Sequence, residues 1–367
     1  MKLRITHYAS RFAFHFLLSI FLFSCASPAT PTSTPISFSQ FEINKPNLTS
    51  TPFQPIDVTN TSIPTFTQIP TLTLTPTFTL TSTPPPPTLT VATVPSNTAS
   101  PTNSTRTNYI LYATLDFNNR KISVDQTIRY YNNTGTALTE LVLAVQPNLY
   151  SKTFVLNAIA QDNTNINSYD LSGQTLRITL PQTLSAGSAT TLTLNFNLNI
   201  PQKSANDVFG HDFNQINLVD WYPFVVPYKN GWVLHDPMPW GEHLVYDSAD
   251  VELNLKTDAN VTVAVGAPAE SNGEWIRYRM YGTRTLALSA SDEFLVSETS
   301  AGNVTIRSYY FNGYQSAGDA IKDYAAQAIN TFSQQFATYP HQHLAIVQTD
   351  MDDGQEYDGL IFLATDF

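Results

Sequence analysis

The residues best able to do chemistry lie near the C-terminal end of the sequence. Asp350-Met-Asp-Asp-Gly-Gln-Glu-Tyr-Asp-Gly359 is its most polar loop, set between the apolar runs Leu344–Val347 and Leu360–Ala364. An acidic surface of this kind tolerates cationic groups nearby. The competing reading is a solvated acidic turn, for which Asp350, Asp352, Asp353 and Asp358 speak. The seven histidines are His7, His15, His211, His235, His243, His341 and His343. None belongs to a His-Glu-x-x-His, the spacing that puts two zinc ligands on one helix face and leaves a position open for water. His341-Gln-His343 alternates as on a strand, with both rings on one side; without a third ligand it reads as the start of that strand. His235-Asp236 and Glu242-His243 flank a Pro-Trp-Gly loop and read as loop hydrogen bonding. Asp350-x-Asp352-Asp353-Gly354 begins like a calcium loop, but Gly falls at the fifth position instead of the sixth and no Glu stands at the twelfth.

The other reactive residue is Cys25, the sole cysteine, which excludes a disulfide framework and a Cys-rich zinc module. It follows a basic start (Lys2, Arg4, Arg11) and the apolar run Phe12–Phe23, the pattern of a secretory signal peptide over residues 1–24. That run is shorter than the about 20 residues a spanning helix needs. Leu22-Phe23-Ser24-Cys25 resembles a bacterial lipobox, with Phe23 in place of the usual small residue. Lipidation of Cys25 would make it the mature N-terminus, anchored to the membrane at the cell surface and, with Ala26 next, in the outer membrane of a host that has one. An ordinary signal peptide that happens to contain a Cys is the alternative.

These residues need elements to position them, and the chain supplies such elements unevenly. Of its 367 residues 42% are hydrophobic and 13% charged, but 15 of the 24 prolines fall between Pro28 and Pro101 and the first glycine is Gly135. Residues 25–107 are rich in Thr, Pro and Ser, a composition in which neither helix nor central strand persists. They read as a disordered, extended tether behind the lipid anchor. The net charge is −11, and residues 108–367 carry 13 basic against 27 acidic groups. Such a surface repels phosphate backbones, which argues against nucleic-acid binding, and tolerates a free amine.

From Asn108 the pattern becomes one of short strands. Ile122, Val124, Gln126, Ile128 and Tyr130 alternate with mostly polar residues. Similar runs recur at 138–145, 175–180, 190–199, 249–255, 261–265, 275–281 and 284–289, divided by turns such as Asn133-Thr-Gly135. The expected fold over 108–300 is an antiparallel β-sandwich or saddle. Asp220 to Trp232, with Pro239-Trp-Gly-Glu-His243, is an aromatic segment that reads as a buried plug, or alternatively as one wall of a cleft. From 301 the reading is α/β: a strand at Val304–Tyr310, then a helix from Ile321 to Phe336 with Ser316-Ala-Gly-Asp319 as its capping box, then two strands.

Strand, helix, Phe336-x-x-Tyr339-Pro340, strand and Gly354-Gln-Glu356-Tyr-Asp-Gly359-Leu together resemble the opening of the catalytic domain of zinc aminopeptidases of the aminopeptidase N family. Leu143-x-x-x-Pro147-Asn, Leu180-Pro181, Leu184-x-x-Gly187, Trp221-Tyr-Pro223 and Gly231-Trp232 are similar to that family's N-terminal β domain. The resemblance implies a β domain over 108–300 and an incomplete, thermolysin-like catalytic segment over 301–367. It also implies that Glu356, with Gly354 and Gln355, binds the α-ammonium of peptide N-termini, although Gln355 replaces the family's Met. Zinc would serve the full-length family, but this sequence has no His-Glu-x-x-His, so the chain is expected to bind no metal, to be inactive alone, and to stop short of the zinc helix. Two alternatives stay open: a non-enzymatic surface β-sandwich binding module on a tether, and a pseudo-enzyme that holds peptides without turnover.

Overall fold

In the computed structural model, residues 105–204, 207–238, 242–351 and 353–365 are described, and all fall in one unit, Ala92–Phe367. The expected signal peptide, Cys25 and nearly all of the expected tether lie outside them. The first of four sheets has eight strands in the order Glu270–Asn272, Trp275–Thr283, Ala249–Lys256, Asn108–Asp116, Lys121–Tyr131, Ala189–Asn199, Phe154–Gln161, Thr164–Asn165. Every pairing is antiparallel except that of Asn108–Asp116 with Ala249–Lys256. Two four-stranded sheets complete the β region, Phe224–Val225, Leu138–Ala144, Thr175–Leu184, Tyr169–Ser172 and Thr262–Val265, Leu288–Ser291, Gln215–Leu218, Gly210–Asp212. The period-two residues are buried as their spacing requires, and Gln126 sits among them because its amide donates to the Pro223 carbonyl (2.7 Å).

A mixed five-stranded sheet follows, in the order Leu295–Ala301, Val304–Tyr310, His343–Thr349, Leu360–Ala364, Gln355–Tyr357. Its inner strands pair in parallel, and a helix, Gln315–Gln335, makes the crossover between two of them. The chain is therefore mostly β, an antiparallel β region leading into an α/β segment. Side chains alternate between the two faces of this sheet. Tyr309, Ala345, Val347, Leu360 and Phe362 join the main core of the β region, while Ile306, Leu344 and Ile346 form a smaller core with Ile329 of the helix. The residues after 300 thus share the main core of the β region.

Two local expectations need correction. The helix starts at Gln315 behind Tyr314 with no side-chain cap, so Ser316 lies inside its first turn and the capping box does not form. The last expected strand of the β region lies at Leu288–Ser291 rather than from Arg284, which pairs with Asp358 outside any strand.

Candidate functional site

The structure brings the acidic loop and the aromatic segment to one place. A cleft of about 930 Å³ is lined by both, together with Tyr150, Asp207 and Arg284. The aromatic segment serves both proposed purposes through different residues. Trp221 is fully buried, its indole N–H donating to Leu286 O (3.0 Å), and Tyr222 packs edge-on against it. Tyr109, beside Tyr222, accepts the Val225 N–H at 3.0 Å. Those residues are the plug. Asp220, Glu242, His243 and Tyr246 are the wall. Of the Pro239-Trp-Gly241 stretch between them nothing is described.

Gln355–Tyr357 is the edge strand of the five-stranded sheet, paired only with Leu360–Ala364. Its pleat sorts the residues that the resemblance singled out. Gln355 and Tyr357 stand opposite Phe362 and Leu360, which belong to the main core, whereas Glu356 stands opposite Ile361 on the helix side. Glu356 is exposed at the rim of the cleft, and its carboxylate makes no hydrogen bond or ion pair with another described residue. Gly354 donates its N–H to Asp353 Oδ1 at 2.8 Å.

The charges around the cleft are one-sided. Asp207, Asp220, Glu242, Asp353, Glu356 and Asp358 line it, against one arginine, Arg284. Burial pushes the Asp220 carboxyl up to about 6, with Glu242 adding to the rise and a 2.6 Å hydrogen bond from Tyr246 Oη opposing it. Tyr150 donates to Asp207 at 2.6 Å, and burial keeps the Tyr150, Tyr246 and Tyr357 hydroxyls protonated well above the usual tyrosine range. Burial, helped by His235, lowers the His243 pKa, so this ring adds little positive charge at neutral pH.

Asp358 departs from the picture of a solvated acidic turn. Its side chain is 13% exposed and accepts from the Arg284 N–H (2.6 Å), Arg284 Nη2 (2.9 Å) and Thr283 Oγ1 (2.9 Å). Burial acts to raise its pKa, but these hydrogen bonds outweigh it and hold the carboxyl below its usual value. Asp358 and Arg284 were not legible as partners, since 74 residues separate them. Asp220 had only its place at the head of the aromatic segment as a signal.

The histidine pairs resolve plainly. His243 Nε2 meets Gln174 Oε1 at 3.0 Å, and the Gln174 amide donates to His235 O at 2.6 Å, so these loops are joined by ordinary hydrogen bonds. His341 and His343 do not share a site. His341 stacks edge-on against Tyr339 and senses Asp358 and Arg284, whereas His343 is buried beside Arg307 and Glu298, and burial takes its pKa down to about 4. Among the described residues no three His, Cys, Asp or Glu side chains stand together as a metal site. These donors do not fit a zinc ion, and no step through zinc follows from them. Asp352 lies outside the described residues.

No family model matches the sequence, and no curated protein does. The fold is similar to that of an M1 zinc metallopeptidase from Deinococcus radiodurans, with a TM-score of 0.50 and 14% identity over 71% of this chain and 61% of that one. A mutant of the same enzyme bound to a Tyr-Ser-Ala substrate gives a TM-score of 0.50 and 14% identity, over 70% of this chain and 60% of that one. The chain therefore spans about 60% of the length of these structures. The likeness relates the chain to M1 zinc metallopeptidases at the level of fold.

Proposed function

We propose that the chain is an aminopeptidase N-like, membrane-anchored lipoprotein whose acidic cleft receives the free amino terminus of a short peptide. Glu356, flanked by Gly354 and Gln355, is the carboxylate that meets the α-ammonium. The observation that carries this reading is the cleft itself, where five carboxylates, with Glu356 at the rim, stand against one arginine already engaged by Asp358. A cation entering it gains attraction from several directions. The M1 structure with a tripeptide substrate supports a ligand of that size. Cys25 supplies the lipid anchor and residues 26–107 the reach, which places the cleft outside the cytoplasmic membrane.

No hydrolytic step is assigned to this sequence, because it holds neither His-Glu-x-x-His nor a cluster of described donors that would take its place. The chain alone is expected to bind free-amine peptides without cleaving them. The reading as an unrelated β-sandwich binding module is weakened by the mixed five-stranded sheet with its crossover helix. Calorimetric titration of the full chain with Tyr-Ser-Ala and with its N-acetyl form is the test. Saturable binding of the first and much weaker binding of the second is expected. Equal binding of both overturns the proposal.

A further inference from the structure

The edge strand that carries Glu356 has little to hold it. It is three residues long, pairs on one side only, and the Glu356 carboxylate makes no hydrogen bond or ion pair with another described residue. A short edge strand is a weakly fixed element, so the direction of the Glu356 side chain is inherited from the backbone next to it. That backbone, Asp358-Gly359, is fastened from three directions. Thr283 and Arg284 of the β region donate to the Asp358 carboxylate. Ala345 donates its N–H to Gly359 O at 2.9 Å. On the remaining side Gly266 crosses so closely that a Cβ on it would sit 2.5 Å from Asp358 O, and a Cβ on Gly359 would sit 2.5 Å from Gly266 O. Gly359 also has φ +73, which other residues adopt only with strain.

We propose that Asp358, clamped by Thr283, Arg284 and Gly266, is a positioning residue through which the β region aims Glu356 at the ligand ammonium. The inference rests on the assignment of Glu356 as the amine-binding carboxylate. Arg284 is mostly exposed (67%) and the Thr283 hydroxyl shares its one proton between Asp358 Oδ2 (2.9 Å) and Thr285 O (2.8 Å), so the Arg284 backbone N–H is the firmest part of the clamp. Loss of the Asp358 carboxylate frees the turn and lets Glu356 wander, and small misplacements of a binding group have large consequences.

The test reads the preference of the full chain for Tyr-Ser-Ala over N-acetyl-Tyr-Ser-Ala. Glu356→Gln is expected to abolish the preference. Asp358→Ala should reduce it on the order of tenfold while leaving affinity for the acetylated peptide in place. Asp358→Asn, which keeps an acceptor for the Arg284 N–H and the Thr283 hydroxyl, should restore most of it. A purely structural role would lower the melting temperature and leave the preference unmoved. If Asp358→Ala does not fold, Arg284→Ala carries the test, with a loss of roughly two- to threefold expected and no loss overturning the clamp. A preference lost in Glu356→Gln but intact in Asp358→Ala refutes the clamp alone. One that survives Glu356→Gln refutes the amine reading and the clamp with it.

Discussion

On the face of the five-stranded sheet turned toward the β region, Phe362 and Leu360 are fully buried, and Gln215, Asn217 and Lys203 tie the β region to Gln348, Thr349 and Asp350. On the helix side Ile361 and Leu363 are only partly covered, and the outer surface of the helix leaves Tyr324, Phe332 and Phe336 at 68%, 57% and 79% exposure. One sheet thus has a locked face and an open one, and neighbouring residues of the edge strand fall on each: Tyr357 on the first, Glu356 on the second. The difference teaches that a residue packed toward the main core and an exposed carboxylate are separated by a single residue of pleat. The β region holds the neighbouring turn through Thr283 and Arg284, which donate to Asp358.

The comparison can be broken first at the locked side. Trp221→Ala, which empties a fully buried site and orphans the Leu286 carbonyl, should cost about 3–5 kcal/mol in denaturant unfolding. Gly359→Ala imposes a strained backbone and a contact with Gly266. It should cost about 1–3 kcal/mol by the same measurement.

Acidification sharpens the contrast between the locked face and the cleft. His343, buried on the first, has its pKa lowered to about 4. It therefore contributes stability that is present above its unfolded value near 6.5 and lost as pH falls toward 4. Asp220, at the cleft, is raised to about 6, so the folded state takes up its proton first and stability rises as pH falls from 6 toward 4. Each effect is on the order of 1–2 kcal/mol after allowance for screening. Denaturant midpoints at pH 7 and pH 4 should show a smaller acid loss than wild type in His343→Gln and a larger one in Asp220→Asn. At the open end of the comparison, Phe336→Ser should change stability by less than about 0.5 kcal/mol.

Much of the fold was legible. The alternation from Ile122 to Tyr130 fixed one face of a strand, and the apolar runs Leu344–Val347 and Leu360–Ala364 marked two strands of the mixed sheet. Phe154–Gln161 was not, because Asn157 interrupts its alternation at the bulge between Leu156 and Ala158. Leu295–Ala301 was hidden because an edge strand with Leu295 and Val296 exposed carries no period-two signal. Of the cleft lining, the acidic loop stood out in the sequence by its polarity. Asp220 and the Asp358–Arg284 pair could not, since long-range contacts and desolvation leave no local pattern.

The central claim is tested most directly by the affinity ratio of Tyr-Ser-Ala to its N-acetyl form, measured in parallel on the wild-type chain and on Glu356→Gln. A carboxylate–ammonium contact predicts a wild-type preference of roughly 10- to 100-fold that collapses in the variant. An unchanged ratio in Glu356→Gln would contradict it.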